Sequence, residues 1–169
     1  DVNDLMRAYK ERAICMVNSL RSPLASSKSI LSLFTNPAYD YLFSAKENEI
    51  KHQYMPWTRR MVDAERFYGG KKIYFVDFLK DEKDTLVLKP SESNGGREVT
   101  LGAETRNEEW NHTIDKAMKS NWVVQEFVNP PFIMVPAVVN HKIEFTGKKI
   151  NTGCFVFNGA FAGGLSRLS

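Results

Sequence analysis

The spacing of apolar residues along the chain changes character near Asp84. Before this point apolar residues mostly recur at helical spacing, and after it they mostly form short runs or alternate with polar residues. A helix gathers positions three and four apart on one face, whereas a strand gathers every second position. The pattern therefore predicts a mainly helical subdomain over residues 1–84 and a strand-rich subdomain over residues 85–169.

Four helices are predicted in the first subdomain. The clearest start is the Ser44-x-x-Glu47 pattern, in which the two side chains can bond reciprocally to the free backbone groups of the first turn. Residues 14–17 form a short apolar run that is compatible with a strand, and residues 68–70 suggest a turn. The other three predicted helices begin near Asn3, at Ser26 or Ser27, and at Pro37.

The second subdomain alternates strands with turn signals and contains one amphipathic helix. That helix carries an apolar stripe that includes Trp110 and Ile114, and Asn158-Gly159 is a strong hairpin signal. Consecutive short strands joined by turns favour antiparallel pairing, so the fold class predicted is α+β with an antiparallel-rich sheet. The predicted strands cover residues 85–89, 98–101, 122–128, 133–139, 141–145, 152–157 and 165–168.

Composition and charge exclude several classes of protein. The chain is 43% hydrophobic and carries a net charge of +3 with dispersed basic residues, so it lacks the basic face of a nucleic-acid-binding protein. The longest apolar stretch, residues 132–139, is too short for a membrane span. Cys15 and Cys154 are far apart and lie among apolar neighbours, which predicts two buried thiols in a reducing, cytoplasmic setting. Histidine spacing indicates no metal site. Because the first residue is Asp1, we interpret the chain as part of a larger protein.

The segment from Leu86 to Val99 combines features that suit a polyphosphate. Lys89 ends an apolar strand, the Gly95-Gly96 pair follows in a loop, and Arg97 adds a second positive charge. A strand-end cation can reach a phosphate, and glycines let backbone N–H groups approach its oxygens. The alternative is an exposed lysine beside an ordinary glycine-rich hairpin.

Two further segments extend this candidate site. The apolar strand that ends in Gln125-Glu126 places a carboxylate where burial is costly without a partner, so we expect Lys89 and Glu126 to face one cleft. Arg167 closes a glycine-rich strand, and its guanidinium can bond two phosphate oxygens at once. The alternatives are a solvent-facing edge-strand glutamate and a surface arginine.

Taken in order, these segments resemble the circularly permuted branch of the ATP-grasp superfamily, which includes glutathionylspermidine-synthetase-like proteins. The resemblance covers most of the chain, and its ordered set of short motifs is more specific than any one of them. The matching segments are Val17-Asn18-Ser19, Ser27-Lys28, Pro56-Trp57-Thr58-Arg59, Leu88-Lys89-Pro90, Gly95-Gly96, Trp110, Gln125-Glu126-Phe127 and Gly163-Gly164-Leu165-Ser166-Arg167.

The resemblance implies a role for each matching residue. Lys28 and Lys89 would be the nucleotide lysines, Gly95 and Gly96 the lid over the phosphates, and Arg167 a phosphate-contacting catalytic residue. The segment Gln125-Glu126-Phe127-Val128 would hold adenine. The chain departs from the family at Glu98, where family loops often carry a further glycine, and that carboxylate would repel a triphosphate.

The resemblance also implies the activity of the larger protein. It would be an ATP- and magnesium-dependent carboxylate–amine ligase that works through an acyl phosphate, on carboxylate and amine substrates that the sequence does not identify. The magnesium ligands are expected outside this chain, so we expect the chain alone to have little catalytic activity. A non-catalytic nucleotide-binding module and a structural or partner-binding domain remain the alternatives.

Overall fold

The computed structural model describes residues 1–62, 66–93 and 95–169, and it has an α+β fold. The chain divides into two compact units, Asp1–Phe127 and Val128–Ser169. The division therefore falls at residues 127/128 and not near residue 84, because a strand from the predicted helical part joins the sheet formed by the predicted strand-rich part.

The first unit contains six described α-helices. The capping box at the start of α4 is confirmed, with Ser44 N donating to Glu47 Oε2 at 2.8 Å and Glu47 N donating to Ser44 Oγ at 3.3 Å. The helix predicted at Pro37 is instead a 3₁₀ helix, Pro37–Leu42, and the run at residues 14–17 forms no strand. The helices are α1 (Val2–Lys10), α2 (Ser22–Ser26), α3 (Ser29–Phe34), α4 (Ala45–Tyr54), α5 (Phe75–Asp81) and α6 (Asn107–Met118), with further 3₁₀ turns at Lys83–Thr85 and Gly102–Glu104.

Nine strands are assigned in the described ranges, and all their pairings are antiparallel. Four of them form the main sheet of the first unit in the order β1-β6-β4-β5, and β2 pairs with β3 in a separate hairpin. The strands are β1 (Thr58–Arg60), β2 (Arg66–Tyr68), β3 (Lys71–Ile73), β4 (Leu86–Pro90), β5 (Thr100–Leu101), β6 (Trp122–Glu126), β7 (Phe132–Val139), β8 (Lys142–Phe157) and β9 (Ala160–Leu168).

The core of the first unit lies between one face of the main sheet and helices α5 and α6. Leu86, Leu88 and Val124 from the sheet pack with Trp110, which is completely buried. The Trp110 indole N–H donates to the carbonyl of Leu79 at 2.8 Å, so the buried ring leaves no polar atom unpaired. The predicted apolar stripe of α6 is thus confirmed as the core-facing side of that helix.

Gly102 lies where two backbone segments come into close contact. A Cβ atom added there would lie 1.8 Å from the carbonyl oxygen of Lys83. The Lys83 ammonium reinforces the contact by donating to the carbonyls of Gly102 and Thr105, at 2.8 and 2.7 Å. The glycine is required here by space, and no side chain larger than hydrogen fits without backbone movement.

The second unit is a three-stranded meander with the order β7-β8-β9. The predicted hairpin at Asn158-Gly159 is confirmed, and both residues have positive φ angles, 48° and 78°. The prediction of two strands within residues 141–157 was wrong, because β8 is one strand of 16 residues. No residue from 128 to 169 is buried. The prediction of two buried thiols was wrong, because Cys154 in this unit and Cys15 in the first unit are both exposed. In the described ranges no helix is long and apolar enough to cross a membrane.

Candidate functional site

The pairing of β4 with β6 decides which predicted site residues share a face. Lys89 lies opposite Val123, and Val87 lies opposite Gln125, so Lys89 and Gln125 project to the same side of the sheet. Glu126 pairs with Leu86 and projects to the other side, which carries the core. The expectation that Lys89 and Glu126 face one cleft was therefore wrong.

The partner of Lys89 is Gln125. The Lys89 ammonium donates to Gln125 Oε1 at 2.7 Å, and Gln125 Nε2 donates to the hydroxyl of Thr58 at 2.9 Å. The Thr58 hydroxyl in turn donates to the carbonyl of Pro56, and the Thr58 backbone N–H donates to the Thr35 hydroxyl. This chain of bonds links β4, β6 and β1 to the end of α3. It holds the partly buried Lys89 at the end of a polar network.

Lys28 lies beside this network, at the start of α3. Its backbone N–H donates to the carbonyl of Ser91 at 2.9 Å, and its ammonium donates to the carbonyl of Ser93. The hydroxyls of Ser29 and Ser91 are also 2.8 Å apart, so α3 is held against the segment that follows β4. Burial, and then the nearby charge of Lys28, lower the pKa of Lys89. The two predicted nucleotide lysines are thus neighbours, although 60 residues separate them along the chain.

Neither ammonium has a carboxylate partner in the described part of the chain. The ion pairs found there involve other basic residues, and the side-chain hydrogen bonds of Lys28 and Lys89 go to neutral oxygens. Two neighbouring cations that hold only neutral partners repel each other, and an anion between them relieves that repulsion. The arrangement therefore has the electrostatics of an anion site.

The glycine loop lies between the antiparallel strands β4 and β5. Gly95 and Gly96 have φ angles of 69° and 73°, and a Cβ atom added to either would contact no described residue within 4 Å. Their backbone is therefore open to an approaching ligand, and Arg97 beside them is exposed. Asn94 of this loop lies outside the described residues.

Glu98, the departure from the family pattern, has a partner of its own. Its Oε1 lies 2.6 Å from the ammonium of Lys116 on α6, which neutralises its charge locally. Its φ angle is 56°, in the left-handed region that glycine adopts most readily. The glutamate therefore has a backbone conformation that glycine adopts more readily.

Glu126 is bonded on the core-facing side of the sheet. Its Oε2 accepts the backbone N–H of Trp57 at 2.8 Å. Burial, a hydrogen bond to Glu126 and its charge raise the pKa of the Tyr68 hydroxyl, which places that hydroxyl beside the carboxylate. These contacts supply the partners that a carboxylate at this strand end needs, so no ligand is required to explain its position. A nucleotide-binding role for Glu126 stays a prediction.

The remaining predicted residues are spread over both units. The backbone N–H of Phe127 donates to the carbonyl of Thr85, and Val128 is exposed at the start of the second unit. Arg167 is exposed on β9, where it pairs with Asn151. The adenine-holding role of residues 125–128 and the phosphate role of Arg167 stay predictions.

Sequence reasoning missed Thr35 and Thr58, the two threonines that anchor the Gln125 amide. Thr58 belongs to the Pro56-Trp57-Thr58-Arg59 segment that carries part of the family resemblance, and that segment was the available signal. Nothing in the local pattern marks Thr35, because its role arises from the packing of α3 against β1.

Comparison with known proteins adds no assignment to this site. No protein-family model matches the chain, and no curated protein matches it at a significant level. Among the described residues, no group of three or more histidine, cysteine, aspartate or glutamate side chains is placed to hold a metal ion.

Proposed function

We propose that this chain binds ATP, with Lys28 and Lys89 contacting its phosphates. The observation that carries the proposal is the convergence of two ammonium groups with no carboxylate partner in the described ranges. Each lysine supplies a point charge that a phosphate oxygen can approach. The open backbone of Gly95 and Gly96 lies in the loop that begins beside them, and its N–H groups can bond further oxygens.

In this proposal the chain is the nucleotide-binding portion of a circularly permuted ATP-grasp protein. The α+β architecture, the glycine loop between antiparallel strands and the neighbouring lysines support it. The larger protein would be an ATP-dependent carboxylate–amine ligase, in which lysine charges stabilise the transferring phosphoryl group. The resemblance implies that the magnesium ligands lie in the larger protein, so the roles proposed for this chain are binding and orienting the nucleotide.

Two observations support the alternatives. Glu98 keeps a carboxylate in the glycine loop, which favours a module that binds nucleotide without turnover. The second unit exposes many large apolar side chains, among them Phe145, Phe157 and Phe161, which favours a partner-binding role.

Calorimetric titration with ATP in the presence of magnesium tests the proposal on the 169-residue chain. Lys89→Ala and Lys28→Ala should each weaken binding about tenfold or more, because a hydrogen bond to a charged group contributes on the order of 1.5–3 kcal/mol. Lys46→Ala is the matched control, since Lys46 is exposed on α4 and makes no described contact. Equal ATP affinities for the Lys46 and Lys89 variants would overturn the proposal.

A further inference from the structure

A second candidate site is an open cavity of about 850 Å³ in the first unit, beside α2 and α3. Its volume lies within the range of small-molecule sites in proteins. It is lined by apolar side chains together with hydroxyl and guanidinium groups, and the lysine pair is not part of its lining.

The described charged residues of this lining are mostly cationic. They are Arg59, Arg60 and Arg66 against a single carboxylate, Glu92, which accepts a hydrogen bond from the Asn121 amide. Arg66 donates to the carbonyls of Arg60 and of Val62. The described charged side chains of the lining therefore carry more positive than negative charge, which favours an anionic ligand.

Arg59 is the most deeply buried cation of the cavity, with a relative exposure of 6%. Its Nη1 donates to the carbonyls of Thr35 and Thr58, at 3.2 and 2.7 Å, which fixes the direction of the guanidinium. Burial, and then the charge of Arg66, lower its pKa to about 10, while Glu126 opposes the shift. Within the described ranges it forms no ion pair, and burying an uncompensated charge is costly.

Arg60 adds an accessible cation at the same edge of the sheet. It lies opposite Val123 on β6, and Val123 lies opposite Lys89 on β4, so Arg60 and Lys89 project from the same face two strands apart. Two strand spacings correspond to roughly 10 Å. Arg60 is exposed, and its guanidinium makes no hydrogen bond or ion pair with the described residues. The cavity is thus beside the lysine pair but has its own cations.

The rest of the lining is divided between hydroxyl and apolar groups. The hydroxyls lie along one stretch of chain, and the apolar side chains come from α2, α3, β2 and the segment after β1. The hydroxyl-bearing residues are Ser26, Ser27, Ser29, Ser32 and Tyr39, and the large apolar ones are Leu24, Ile30, Leu33, Val62 and Phe67. Such a lining suits a ligand that has both a charged end and an apolar body.

We propose that this cavity binds a small amphipathic acid, with its carboxylate or phosphate head at the accessible guanidinium of Arg60 and its apolar body against the side chains of α3. The planar guanidinium donors match two oxygens of either head group. The proposal stands apart from ATP binding, because it uses different cations on the same unit.

Titration with octanoate and with octyl phosphate tests this proposal on the 169-residue chain. Both probes should bind the unaltered protein, and the tighter one identifies which head group the site prefers. Arg60→Ala should weaken that binding about tenfold or more, and Arg60→Lys should restore part of it, because a lysine keeps the charge but loses the paired donors. Arg106→Ala, at an exposed arginine outside the cavity, should leave it unchanged.

Parallel titrations with ATP separate this site from the nucleotide site. The proposal expects Arg60→Ala to leave ATP affinity unchanged and Lys89→Ala to leave octanoate and octyl phosphate affinity unchanged. Failure of both probes to bind the unaltered protein, or equal binding to the Arg60→Ala variant, would overturn it. Loss of ATP binding in the Arg60→Ala variant would also overturn it, since the cavity would then belong to the nucleotide site.

Discussion

Oε1 of Gln125 lies 2.7 Å from the ammonium nitrogen of Lys89, while Nε2 of the same amide lies 2.9 Å from the hydroxyl of Thr58. One amide thereby connects side chains from the two strands that flank β6. Because Gln125 is only 8% exposed, both of its bonds are shielded from water. The position of Lys89 at the candidate phosphate site therefore depends on a residue that has no direct role in binding phosphate.

Replacing Gln125 should destabilise the protein. Gln125→Ala leaves the Lys89 ammonium and the Thr58 hydroxyl without a bond that they now have, and the expected loss is about 1–3 kcal/mol of unfolding free energy. Urea unfolding followed by circular dichroism measures it. The matched control is Gln53→Ala, at an exposed position on α4, which should change stability little. A similar loss in both variants would show that the network contributes nothing.

Gly102 should tolerate no larger residue. In Gly102→Ala the new methyl group overlaps the Lys83 carbonyl, so the backbone contact must open, at a cost on the order of 1–3 kcal/mol. Thermal unfolding of the variant gives the effect directly. Gly147→Ala is the control, because its nearest neighbour would be an ordinary 3.8 Å away, and it should unfold at nearly the same temperature as the unaltered protein.

Asp40 should make stability depend on acid pH. Its bond to the Lys51 ammonium, opposed by burial and helped by a bond to His52, lowers its pKa in the folded protein. A carboxyl group whose pKa is lower in the folded than in the unfolded protein stabilises the fold at pH values above its unfolded pKa. This contribution disappears as the pH falls through the pKa of the folded state.

The variant Asp40→Asn tests this dependence. At neutral pH it should lose about 1 kcal/mol of unfolding free energy, a modest amount because the Asp40 side chain is 31% exposed and partly screened. Denaturant unfolding repeated below the folded pKa should show the difference from the unaltered protein shrinking. Asp115→Asn, at an exposed position on α6, should show no such convergence. A pH-independent difference would contradict the assignment.

Tyr68 should ionise at a more alkaline pH than an exposed tyrosine. Burial is the largest cause of the raised pKa of the Tyr68 hydroxyl, and the hydrogen bond to Glu126 and the charge of Glu126 raise it further. Subtracting the ultraviolet titration of Tyr68→Phe from that of the unaltered protein isolates this group. Glu126→Gln should move the isolated titration to lower pH, whereas Glu49→Gln, at an exposed position, should leave it in place.

Local signals in the sequence predicted the elements that depend on neighbouring residues. The capping box at Ser44, the apolar stripe of Trp110 and the Asn158-Gly159 turn are each set within a few residues, and all three are confirmed. By contrast, β1 has only three residues and no alternating pattern, because it exists through pairing with β6 more than 60 residues later. Helix α5, of seven residues, was also missed.

The pairing of side chains in the candidate site could not be predicted from the sequence. Lys28 and Lys89 are neighbours, and their roles toward a nucleotide stay predictions. The choice between Gln125 and Glu126 as the partner of Lys89 depends on strand register, and a shift of one residue exchanges the two faces. The register places Lys89 opposite Val123, a fact set by packing across the whole sheet and not by the residues around Lys89. The roles of Thr35 and Thr58 could not be predicted either, because they also depend on contacts between segments that are distant along the chain.

The meander of residues 128–169 forms long hydrogen-bonded ladders, yet none of its side chains is buried. Backbone amide protons exchange with solvent when the local structure opens. The free energy of opening is larger for an element that makes more buried apolar contacts. Deuterium uptake should therefore be much faster in β7, β8 and β9 than in β4 and β6, whose side chains form the core. The two units would then exchange their backbone amide protons with solvent at two different rates.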